Sequence, residues 1–227
     1  MNSLPSHSAP SDVVYLSVAD ERANTATHAL GFVLSLVAAV YLAQQTAAES
    51  LGFTVSCTVF AISMAAVYLF STLSHAVYEP LWRHRMRAWD QGVIYTLIAG
   101  TYTPFIWVCS PAGWRSAILL AVWLAAAIGF YSKVLAAHRV NGISTVTYVL
   151  LGWLPAIPLV PRTPTICLLW MLAGGVAYTA GILFLRLDGR YRYFHAMWHL
   201  MVIAGSACHF IAIQYLVEYA STSGMPG

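Results

Sequence analysis

Charge is the scarcest commodity in this chain. Of 227 residues only 8% are charged, while 59% are hydrophobic and the mean hydropathy is +0.70. A soluble domain carries about 25% charged residues, so a fully wetted surface is excluded and the solvent must be mostly lipid. Cysteine is also sparse: positions 57, 109, 167 and 208 form no CxxC pair, which argues against a thiolate metal site or a redox motif. No basic stretch followed by a short apolar core opens the chain, so a cleavable signal peptide is not expected. The formal net charge of +3 is small and spread over loops, which argues against a nucleic-acid partner. The apolar runs lack period-2 alternation. Backbone polar groups must be satisfied internally in lipid, and helices are the remaining way to do it.

What is present is a series of apolar runs between polar punctuation. They predict seven spans, at about 24–44, 52–77, 90–109, 114–134, 144–160, 165–185 and 194–217. Pro155 and Pro158 interrupt the fifth and Pro104 should bend the third. The fold class expected is an all-α membrane protein, a seven-transmembrane helix bundle. All but two of its 11 Lys and Arg residues, the exceptions being Arg115 and Arg162, fall on one side of those spans. The positive-inside rule then puts the N-terminus in the cytoplasm and the C-terminus outside. Residues 1–20 read as a flexible cytoplasmic tail, 21–217 as one domain and 218–227 as a short outer tail. Ala173, Ala177 and Gly181 form a small-residue stripe that would let the sixth helix approach a neighbour. Cys109 and Cys167 lie toward the outer side, where a disulfide is allowed but connectivity is not deducible.

Against that background the polar residues at membrane depth stand out, because ionisable groups there are costly and mark functional sites. Ser71 and His75 close the second span, Asp90 opens the third, His195 and His199 open the seventh, and His28 lies near the start of the first. With spans alternating in direction, all six occupy one slab of membrane at the cytoplasmic side. His195 and His199 are four apart and share a helix face about 6 Å from each other, a spacing at which two imidazoles hold one metal ion. Ser71 and His75 have the same spacing, and His75 would complete a three-histidine set. Three nitrogen ligands with one open position is a catalytic zinc arrangement. The plain alternatives are that the histidines are hydrogen-bonded interfacial groups, and that Asp90 caps the third helix or pairs with Arg83, Arg85 or Arg87. Glu21, Asn24 and His28 share a face and suggest a local polar network. His209 lies about 21 Å deeper than His195 and reads as an interior packing group. His7, His84 and His138 fall in the tail and loops.

Several of these stretches carry a resemblance. Ser71-Thr-Leu-Ser-His75, Asp90, Ile-Ala-Gly-Thr-Tyr-Thr-Pro-Phe (98–105), Gly152-Trp153, Gly174-Gly175-Val-Ala-Tyr178 and Phe194-His-Ala-Met-Trp-His199 resemble the bacterial hemolysin III family. That family sits within the progestin and adipoQ receptor superfamily, which includes the adiponectin receptors, and is distantly similar to alkaline ceramidases. The resemblance spans Glu21 to Phe210. It implies a seven-helix bundle with a cytoplasmic N-terminus and a zinc ion held by His75, His195 and His199, with Ser71 and Asp90 matching the family's serine and aspartate. Gln91 departs from the histidine expected after that aspartate. The function implied is a zinc-dependent hydrolase of lipid amides or esters in the inner membrane, with ceramide-like membrane lipids as partners, Asp90 as general base and Ser71 as oxyanion donor. The alternatives are a non-enzymatic receptor or regulatory protein with a structural zinc, and a pore-forming cytolysin. No predicted span carries a continuous polar stripe to line such a pore.

Overall fold

The computed structural model of the chain describes residues 17–136 and 142–223, and every regular element in them is helical. Seven α-helices follow in order: α1 Val18–Gln45, α2 Leu51–Ala76, α3 Pro80–Cys109, α4 Ala112–Val134, α5 Gly142–Trp153, α6 Thr165–Arg186 and α7 Phe194–Ser223. A 3-10 helix, Leu154–Arg162, joins α5 to α6. Consecutive helices pack on one another, and α1 closes the ring against α7. The central element is α3. Its most apolar stretch is 72% buried within the protein, against 17% for α4. Outward-facing residues such as Val37, Ile62, Ile128 and Leu183 are exposed apolar side chains on long helices, a surface suited to lipid rather than water.

Among the described residues six helices (all but α5) are long and apolar enough to cross a membrane. The fifth expected span is instead a 12-residue α-helix followed by the nine-residue 3-10 helix. The cause lies in Pro155, Pro158 and Pro161. Each lacks the N–H that an α-helix would bond four residues back, and their spacing of three removes those donors turn after turn. By contrast α3 runs unbroken through Pro104.

Two helices begin earlier than their apolar runs suggest. The Ser17 hydroxyl accepts from the Asp20 N–H at 3.2 Å and starts α1 at Val18. The carboxylate of Glu79 accepts from the N–H groups of Leu81 and Trp82, with Pro80 in the first turn, and starts α3 ten residues before Asp90. Asp90 is therefore inside α3 and does not cap it. At the other end α7 continues to Ser223, past the expected boundary at 217, and Ser221 bonds Glu49. The four cysteines are free thiols. His7, His138, Arg139, residues 1–16 of the expected inner tail and 224–227 of the expected outer one lie outside the described residues, and His84 sits half-buried in α3.

Close approach between α6 and α7 comes from glycine, not from the alanines of the expected stripe. Ala173 is exposed, whereas Gly174 and Gly181 face α7. On α7, a Cβ at Gly205 would lie 2.7 Å from the Tyr178 ring, while one at Gly113 in α4 meets nothing within 4 Å. Gly205→Ala should therefore overpack the interface and cost about 1–3 kcal/mol, read as a lower melting midpoint in detergent. Gly113→Ala should leave the midpoint within about 1 °C.

Candidate metal centre

His75 closes α2 and is 3% exposed, His199 sits on the second turn of α7 at 1%, and His195 on its first turn is half-buried. The ring centroids stand 4.9 Å (His75 to His195), 5.1 Å (His75 to His199) and 4.6 Å (His195 to His199) apart. One nitrogen from each lies within 4.8 Å of the other two, so the set can hold a metal ion. The imidazoles of the second and seventh helices do converge, as the spacing and depth of the residues require.

The other ring nitrogens show which atoms are free. Nδ1 of His75 donates to Glu21 Oε2 at 2.7 Å, and Nδ1 of His195 donates to Asp188 Oδ2 at 2.8 Å. Nδ1 of His199 donates to the Asn24 carbonyl at 3.2 Å, with the Thr27 hydroxyl 3.1 Å away. Carboxylates and carbonyls only accept, so Nδ1 carries the hydrogen in each ring and Nε2 keeps its lone pair. The His75 Nε2 is buried without any hydrogen-bond partner among the described residues. A buried, unsatisfied ring nitrogen is costly, and its convergence with two further rings, each anchored through Nδ1 by an acceptor behind it, is the pattern of metal-binding histidines. The residues fit the ion.

Asp90 and the serines of α2 lie beside the triad. Asp90 Oδ2 accepts from the Ser74 hydroxyl at 3.0 Å and lies within reach of the Ser71 hydroxyl. It is close enough to His75 and His195 to act on both electrostatically. Of the arginines weighed as alternative partners of Asp90, Arg83 forms an ion pair with Glu21 Oε1 at 3.2 Å, Arg87 donates to the same oxygen at 3.3 Å, and Arg85 lies over the Trp82 ring. Ser71 is buried one turn before His75.

The contacts of four residues around the ring of histidines cannot be read from the sequence. Glu21 was visible as part of an α1 face with Asn24 and His28, but helical periodicity does not say which neighbour that face meets. Thr27 shares the limitation. Ser74 precedes a ligand and carried no signal of its own. Asp188 reaches His195 from the segment between α6 and α7, where Tyr193 has a left-handed φ of 63° and its N–H donates to Asp20 Oδ1 at 2.9 Å. His28 is brought to the site as a fourth ring, stacked on His199 at 3.6 Å. His209 stays apart from it, stacked on Tyr178 at 5.5 Å.

Known proteins resemble this chain over most of its length. The family described as haemolysin-III related matches residues 16–210. Hemolysin-3 of Bacillus cereus is 34% identical over 206 residues, covering 88% of this chain and 93% of its own length. The Hemolysin-3 homolog of Bacillus subtilis (strain 168) is 32% identical, covering 88% and 95%. Monocyte to macrophage differentiation factor of Homo sapiens is 27% identical, covering 91% and 89%. All three align along most of their length with a chain whose six long apolar helices make it a multi-pass membrane protein. This chain belongs to the haemolysin-III-related family, within the progestin and adipoQ receptor superfamily.

Proposed function

We propose that the protein is a zinc-dependent hydrolase that cleaves an amide or ester bond of a membrane lipid. The observation that carries this is the orphaned Nε2 of His75, set against the rings of His195 and His199 and beside a carboxylate and a hydroxyl. Three imidazoles supply one ligand fewer than a closed structural site needs. When bound there, zinc supplies Lewis acidity that activates water and polarises a carbonyl.

The remaining work belongs to the chain. Asp90, steadied by the Ser74 hydroxyl, takes the proton of the attacking water and returns it to the leaving nitrogen or oxygen. Ser71 donates a hydrogen bond to the oxygen on which negative charge develops. The carboxylates of Glu21 and Asp188 keep His75 and His195 in the tautomer and orientation that present Nε2. An apolar outer surface suits an acyl chain entering from the bilayer, and ceramide-like amides are the substrate class favoured by the resemblance to ceramidases.

A second reading, a receptor or regulator braced by the metal, draws support from the Glu21 contacts that tie α1, α2 and α3 together. It separates from the first by what His199→Ala does. Bracing requires the melting midpoint to fall with metal loss, while the hydrolase reading requires turnover to vanish even in variants that stay folded.

The seven-span arrangement, with α5 and the 3-10 helix together making the fifth crossing, belongs to the same proposal. So do a cytoplasmic N-terminus, an outer C-terminus and residence in the bacterial inner membrane. An alkaline phosphatase fused after Ser223 should be active and a fluorescent protein at the same point dark. The reverse result sinks this orientation.

Metal analysis of purified protein should find about one zinc per chain in wild type, and a loss of most of it in the alanine variants of His75, His195 and His199. Asp90→Asn should keep the metal and lose about 10²–10⁴-fold in lipid hydrolysis. Ser71→Ala should lose about 10²–10³-fold. Zinc-loaded wild type that turns over no acyl amide or ester in a broad panel would overturn the hydrolase.

A further inference from the structure

One buried carboxylate near the centre supplies no ligand, yet it is the junction of three helices. Glu21 on α1 is 2% exposed. Its Oε2 accepts from Nδ1 of His75 on α2 at 2.7 Å, and its Oε1 faces Nη2 of Arg83 and of Arg87 on α3 at 3.2 and 3.3 Å. The other carboxylate behind a triad histidine, Asp188, has 31% of its side chain exposed. Water screens that pair, whereas Glu21 acts across a dry contact where a charge is felt most strongly.

We infer that Glu21 is the positioning residue of the metal centre: through His75 it sets the affinity for a divalent cation, and Arg83 and Arg87 hold it in place while moderating its charge. The inference rests on the reading of the triad as a metal site. A carboxylate behind an imidazole does two things. It fixes the ring so that Nε2 points at the shared position, and it raises the basicity of that nitrogen. The arginines act oppositely on the second effect. Each guanidinium adds positive charge near a site that must accept a cation, and the arrangement is stable because the buried anion would otherwise lie unpaired. The sign of each substitution follows. Removing the Glu21 charge must weaken cation binding. Removing one guanidinium, while Glu21 and the other arginine stay, must tighten it. A role confined to holding the helices together predicts neither.

The test uses the full chain purified in detergent, stripped of metal and titrated with cobalt(II), whose visible absorption reports coordination. Affinity is read by competition with a chelator. Glu21→Gln, whose amide oxygen can still accept from His75 Nδ1, should bind cobalt about 10–100-fold more weakly. Arg87→Gln, chosen because its side chain is a quarter exposed, should bind about two- to fivefold more tightly, with an unchanged absorption band. The melting midpoint of each metal-free variant is recorded beside it. Should Glu21→Gln fail to fold, the Arg87→Gln affinity still decides. Wild type that binds cobalt, with Glu21→Gln within twofold of it or Arg87→Gln unchanged or weaker, overturns this inference and leaves the metal site standing. Wild type that takes up no cobalt overturns both.

Discussion

Everything at this centre depends on a single requirement: a nitrogen lone pair removed from water must meet something. In a soluble protein an unbonded imidazole nitrogen finds a water molecule at little cost. Inside a bundle wrapped in lipid that alternative is scarce, and the lost hydrogen bond costs about 1–3 kcal/mol. His75 has committed its Nδ1 to Glu21 and has no partner for Nε2 among the described residues. Its neighbours His195 and His199 have likewise committed Nδ1 to acceptors from other elements. The arrangement makes physical sense when the three remaining lone pairs are shared by one cation.

The first helix has the largest part in setting this up while contributing no ligand. Glu21 orients His75, the Asn24 carbonyl and Thr27 hydroxyl orient His199, His28 stacks on His199, and Asp20 holds the N–H of Tyr193 where α7 begins. These residues lie on successive turns of one face, so a rigid rod sets the relative positions of two helices that are distant in sequence. Rigidity is what a catalytic or binding constellation needs from its surroundings. It also explains why α1, whose apolar stretch is only 22% buried, concentrates its buried polar residues near one end.

The part of this that periodicity and composition carry was legible from the chain. His195 and His199 share a face because they are four apart, and His75 meets them because α2 ends where α7 begins. Helix number and extent were legible to the degree that apolar runs mark them. The failures have physical causes. Capping by Ser17 and Glu79 extends α1 and α3 into polar stretches that lipid-based reading leaves as loops. The triple proline of the fifth segment produces 3-10 geometry, which an apolar run does not reveal. Which neighbour a polar face meets is a matter of tertiary contact, so Glu21 was seen and its partner was not. Asp188 reaches His195 from the segment between α6 and α7, and no spacing rule reaches that far.

The division of ligands between α2 and α7 also orders events in time. His75 enters the membrane early in synthesis, and its two companions arrive with the final helix. Until α7 has inserted and docked against α1, the nascent chain has only one of the three nitrogens. An ion held by all three imidazoles would load only once α7 is in place, and a chain cut between Ala76 and Phe194 would carry a complete first helix, with Glu21 in place, beside a centre that cannot form.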